Sequence, residues 1–168
     1  MPEETNAVRT LAGRAELAAA WAAVYPGVAI YLAATGSAAP VDPDAAATWL
    51  LQGGRMTFCR RCAGLPVVSS IERHRAAGGV GRLLVVSPCG ADFPGVRDVV
   101  ADLVELAFHH LGRRRCEWRI LATWERARAV ASELGFQEEA RYGEACFAQG
   151  RFRDVVLAGM MAGEWAAR

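Results

Sequence analysis

Lysine is absent from the 168-residue chain; all nineteen of its Lys and Arg positions are arginine. The chain can therefore form no lysine Schiff base, and it cannot build a Walker-type phosphate loop, which needs its lysine. Asparagine occurs once, at Asn6, and histidine three times, at His74, His109 and His110. No apolar run approaches the ~20 residues that cross a bilayer, so no membrane partner is expected. The acidic start, Met1-Pro2-Glu3-Glu4, lacks a signal-peptide pattern, and the expected location is cytoplasmic. Five cysteines, an odd number, fit reduced thiols better than a disulfide framework. A net charge of +1 carries no nucleic-acid signature. What is plentiful is apolar side chain, at 53%, enough at this length for one domain over residues 1–168 with a proper core.

The chain is organised around residues 82–136. Residues 82–87 form a short apolar run stopped by Pro88, which predicts a buried strand. A loop with two glycines and two prolines follows. From Val96 the apolar residues Val99, Val100, Leu103, Leu106, Ala107 and Leu111 fall on one stripe, predicting an amphipathic helix of about four turns. Gly112 is placed to close it in a left-handed cap. Cys116, Trp118 and Ile120 alternate with Glu117 and Arg119, as in a half-buried strand. Residues 125–134 are helical again and stop at Gly135. A strand opening through a loop onto a helix N-terminus is a generic anion site, because unpaired N–H groups point outward there.

On either side, residues 8–12 read as a first strand and residues 16–24 as a helix ended by Pro26-Gly27. Residues 28–32 read as a strand or an extended loop. Asp42-Pro43-Asp44 is a helix start, with Asp42 capping and Pro43 at the first helical position. A hairpin is expected from Arg55 to His74 with its turn near Ala63-Gly64. A second joins residues 138–147 to residues 152–160 through Gly150. The class is α+β, a mixed, mostly antiparallel sheet with flanking helices.

Three stretches carry a family resemblance. They are Leu106-Ala-Phe-His-His-Leu-Gly112, the helix from Ala127 closing on Leu134-Gly135-Phe136, and the hairpin strand Gly150-Arg-Phe-Arg-Asp-Val-Val-Leu157. In order and spacing they resemble the GNAT superfamily of acyl-CoA-dependent N-acetyltransferases, in the branch that acetylates protein N-termini and small amines. The resemblance covers about the C-terminal half. It implies the GNAT fold, acetyl-CoA as co-substrate, and transfer of an acetyl group to a primary amine of unknown identity by direct attack. It also implies that the backbone of the central strand, at Val85, Val86 and Ser87, pairs with the pantetheine amides. The loop and helix start at Gly95, Val96 and Arg97 would hold the pyrophosphate. The chain departs from the family pattern at Pro94, which stands for a glycine and has no N–H. It departs again at Trp124, which stands for an asparagine and would face the cofactor, and at Ala131, which stands for the general-acid tyrosine. Two readings therefore stand side by side, an acetyltransferase and a GNAT-fold binding module with an altered or blocked CoA site. Homodimers through a sheet edge or the tail are common in such folds.

Acetyl transfer needs a base for the amine proton and donors for the thioester carbonyl. Glu72 and His74 alternate on one predicted strand and share a face, which makes them the candidate base and acceptor-groove residues. Cys59-Arg-Arg-Cys62 has the spacing of half a zinc site, but no second pair exists. If the segment is extended, its two thiols point to opposite faces, so no metal is assigned.

Overall fold

The computed structural model describes residues 13–35, 42–51, 55–73, 79–148 and 150–167, with side chains throughout apart from 26–35, 73 and 148. The element order is α1 (Arg14–Thr35), α2 (Pro43–Leu51), β1 (Arg55–Cys62), β2 (Leu65–Arg73), β3 (Val80–Val86) and α3 (Val96–Glu105). A π-helical turn (Leu106–His110) follows, then β4 (Arg115–Leu121), α4 (Glu125–Glu133), β5 (Gln137–Ala148), β6 (Arg151–Met161) and α5 (Ala162–Ala166). The six strands lie in the order β1-β2-β3-β4-β6-β5. Every neighbouring pair is antiparallel except β3 with β4. The mixed, mostly antiparallel α+β class expected from the sequence is the one observed.

Strand alternation sends each strand's residues to two helix layers. On one face Thr57 donates to the Leu50 carbonyl of α2, and Arg55 donates to that of Trp49. On the other, Arg60 reaches Asp102 and the Val99 carbonyl of α3. The Trp118 ring of β4 meets Phe136 there, at the end of α4, edge-on at 6.4 Å. The sheet is thus sandwiched between α1 with α2 and α3 with α4. Both inner faces are dry: Leu17, Trp21, Leu50, Val67, Ile71, Val85, Val99, Trp118 and Met160 are fully buried.

Local sequence signals account for most boundaries. The Asp42 carboxylate accepts the Ala45 N–H at 2.7 Å, capping α2 one residue before Pro43. Ala63 and Gly64 make a two-residue turn between β1 and β2, and Gly112 takes the left-handed conformation (φ 59°) beyond the π turn.

Two expectations are corrected. Helix α1 does not stop at Pro26-Gly27 but continues to Thr35, so residues 28–32 are helical rather than extended. A proline removes one helical hydrogen bond, and a five-residue apolar run reads alike as helix or strand. Helix α1 as a whole packs across β1 to β5, a context that no five-residue window carries. The helix from Val96 also changes winding at Leu106, and its last turn is π rather than α. The first predicted strand, residues 8–12, lies outside the described residues.

Candidate functional site

The parallel pair is short. Val80 to Leu83 pair with Arg115 to Trp118, and there the pairing ends. Strand β3 runs on, still paired to β2 as far as Val86, and β4 runs on paired to β6 as far as Leu121. The two strands therefore part like a fork, with backbone edges turned toward each other and no ladder between them. Backbone N–H and C=O groups need partners. An extended, amide-bearing molecule is the natural complement of such an opening, as a peptide is of a sheet edge.

In this conformation the protein itself fills the fork. Val85, Val86 and Ser87 have no exposed surface. Ser87 and Gly90 close a tight turn: each N–H donates to the other's carbonyl, at 2.7 and 2.9 Å. The Ser87 hydroxyl also donates to the Gly90 carbonyl at 2.8 Å and accepts the Cys89 N–H at 3.1 Å. Trp124, only 8% exposed, lies against Gly90. A Cβ at that glycine would overlap the indole, 2.7 Å from Cε2 and 3.0 Å from Cη2. The Asp92 carboxylate accepts the Ala127 N–H at 3.1 Å, satisfying one of the unpaired donors at the start of α4. The family resemblance singled out Trp124 as the residue that would face a cofactor. Asp92 and Gly90 were not singled out from the sequence, since their contacts depend on α4 folding back over the loop.

The start of α3 is more open. Gly95 caps it without a side-chain hydrogen bond, and Pro94, Gly95, Arg97 and Asp98 are exposed, whereas Val96 is buried. The Val96 N–H reaches the Phe93 carbonyl at 3.3 Å. The N–H groups of Arg97 and Asp98 belong to the first turn, where helix geometry supplies no acceptor. The Arg97 guanidinium donates to Glu133 at 2.6 Å and sits 3.7 Å from Asp98. Its pKa is raised, chiefly by the Glu133 hydrogen bond. A diphosphate at this helix end would therefore meet backbone donors, with a guanidinium already engaged by a carboxylate.

A row of charge crosses the sheet one position before the strands part. Arg55, Glu72, Arg82 and Glu117 are successive register partners on β1 to β4 and share the α1/α2 face. Glu72 is bonded to Arg55 at 2.9 Å, and the Arg55 guanidinium stacks 3.9 Å above the Trp49 ring. Arg82 approaches Glu117 at 3.5 Å. Glu72 thus sits in the layer opposite α3, at the closed end of the fork. Its predicted companion His74 lies outside the described residues. Glu117 was not singled out from the sequence, because only the parallel register brings it beside Arg82.

The two thiols of Cys59 and Cys62 do point to opposite faces. Cys59 faces Glu16 of α1, and burial pushes its pKa up to about 12. Cys62 packs against Gly95 at the start of α3. Among the described residues no three His, Cys, Asp or Glu side chains gather as metal ligands. No described helix is long and apolar enough to cross a membrane.

No family model matches the chain, and no curated protein matches it. Solved structures do. A point-mutant form of the spermidine N-acetyltransferase SpeG from Vibrio cholerae superposes with a TM-score of 0.66, at 13% identity, over 94% of this chain and 95% of that one. SpeG in complex with manganese ions gives 0.62 at 15% identity, over 74% and 76%. A dodecameric form of the enzyme gives 0.60 at 13% identity, over 73% and 73%. At such identities the likeness is one of fold.

Proposed function

We propose, from the GNAT fold of this chain, that it is an N-acyltransferase moving an acetyl group from acetyl-CoA to a primary amine of a small molecule or a protein N-terminus. The observation that carries the reading is the fork: a parallel pair that parts after Leu83 and Trp118, with the N-terminus of α3 ahead of it. As co-substrate, acetyl-CoA supplies an activated thioester. The chain fits that molecule in part. The exposed start of α3 suits a diphosphate, whereas Val85, Val86 and Ser87 have no exposed surface and can meet pantetheine amides only after the segments that cover them move.

In the reaction the acceptor amine must lose a proton before its nitrogen bonds the acyl carbon, and the departing thiolate must gain one. Glu72 and His74 are the proposed base, acting directly or through water, and backbone N–H groups of β3 polarise the acyl oxygen. The matched solved structures are named as spermidine N-acetyltransferases, one of them dodecameric, which supports a small amine as acceptor and a self-associating chain.

A second reading has its own observation. With the fork sealed by Trp124 and Gly90, the chain serves as a GNAT-fold binding module without acyl transfer. Thermal melting separates the two. A ligand at about a hundred times its Kd stabilises a fold by ~2.7 kcal/mol, which a melting curve resolves. Acetyl-CoA is expected to raise the Tm of the natural chain and to release thiol with an amine panel. A Tm shift seen only after Trp124→Asn means that the indole blocks the site. No shift in either protein removes the acyltransferase reading.

A further inference from the structure

On the α3 face, two strands outward from the fork, β1 and the end of α3 line a half-open cavity of about 280 Å³. Phe58 and Val85 lie in one register row with Ser69 between them, so the cavity and the fork stand about 10 Å apart across the sheet. The walls are apolar: Met56 and Phe58 from β1, Leu103 and Leu106 from the helix. The volume lies at the low end of ligand pockets, which suits one ring or a short branched chain. The helix winds as a π turn from Leu106 to His110 alongside it, a rare geometry that recurs at functional sites.

The rim decides the charge of the occupant. Arg60 donates to Asp102 at 2.7 Å and to the Val99 carbonyl at 3.3 Å, so these two charges offset each other and Glu105 carries the unbalanced charge of the rim. Glu105 accepts Trp165 Nε1–H at 3.0 Å and pairs with His109. These hydrogen bonds, the one to His109 first, lower its pKa and keep it ionised. His110 completes the rim.

We propose that this cavity binds a small monocationic amine with an aromatic or branched apolar body. The body seats on Met56, Phe58, Leu103 and Leu106, and the ammonium lies beside Glu105. The site is independent of the fork and stands whether or not the chain transfers acyl groups.

The probe is 2-phenylethylammonium, titrated into the full-length protein and followed by backbone amide NMR, with 3-phenylpropionate and 2-phenylethanol as the anionic and neutral counterparts. The amine is expected to saturate below ~10 mM, with shifts confined to β1 and residues 102–110, and to bind about tenfold more tightly than either counterpart. Met56→Trp, which fills the cavity, is expected to abolish the shifts. Glu105→Gln, at an exposed position, is expected to weaken the amine several-fold and leave the alcohol unchanged, so the proposal stays testable should the tryptophan variant fail to fold. No saturation by the amine, equal or tighter binding of the carboxylate or alcohol, or undiminished binding in Glu105→Gln overturns it.

Discussion

Replacing Gly90 by alanine tests the contact that closes the fork. The glycine sits at φ 73°, where a side chain is strained, and the new Cβ would run into the Trp124 ring. Left-handed backbone costs a residue with a Cβ about 1–2 kcal/mol, and overpacking of a tight contact typically adds about 1–3 kcal/mol. Gly90→Ala is therefore expected to lose about 2–5 kcal/mol in urea unfolding, read from the midpoint at unchanged m-value. Trp124→Ala alone is expected to lose about 3–5 kcal/mol, since its indole is almost wholly buried. The double variant separates the two parts, because without the ring only the backbone part of the glycine cost remains. A coupling of at least about 1 kcal/mol is expected between the two sites. Additive losses, with Gly90→Ala costing only the backbone part, would refute the claim that the indole rests on the loop.

Other expectations follow from single contacts. Asp92→Ala removes the carboxylate from the Ala127 N–H and is expected to cost about 1 kcal/mol, with faster amide exchange in the first turn of α4; unchanged exchange there refutes the contact. The Arg115 guanidinium, chiefly by hydrogen bonding, holds the Glu139 carboxyl below the usual carboxylate range. Because the folded value is the lower one, that stabilisation is complete above the ordinary value of about 4.3 and is lost as pH falls through the folded pKa. Arg115→Gln should flatten the acid limb of the stability curve, and an unchanged slope refutes the pairing. Burial pushes the Cys59 and Cys116 thiols up to about 12, whereas Cys89 is exposed. An aromatic disulfide reagent at about pH 8 is expected to reach Cys89 first, with that phase missing in Cys89→Ser; a surviving phase sinks the assignment.

Much of the scaffold was written locally. The strand before Pro88, the apolar stripe from Val96, the alternation through Trp118 and the hairpin at Gly150 each depend on residues within a turn or two of one another. Such patterns survive in a single sequence because side-chain period fixes which face is buried. The misread of residues 28–32 shows the limit. Nothing local distinguishes five apolar residues of a long helix from a strand; the helix that contains them packs across five strands.

The sequence by itself determined the class, the order of most elements, the loop that lacks an N–H at Pro94, and the opposed thiols of Cys59 and Cys62. Tertiary structure alone decided what the fork contains. Trp124 and Gly90 are 34 positions apart, Asp92 and Ala127 are 35 apart, and Arg82 meets Glu117 only through a parallel register. Contacts between distant positions follow from how whole layers pack. A one-dimensional pattern can place an indole near an opening, but only the folded layers determine whether it stands in it.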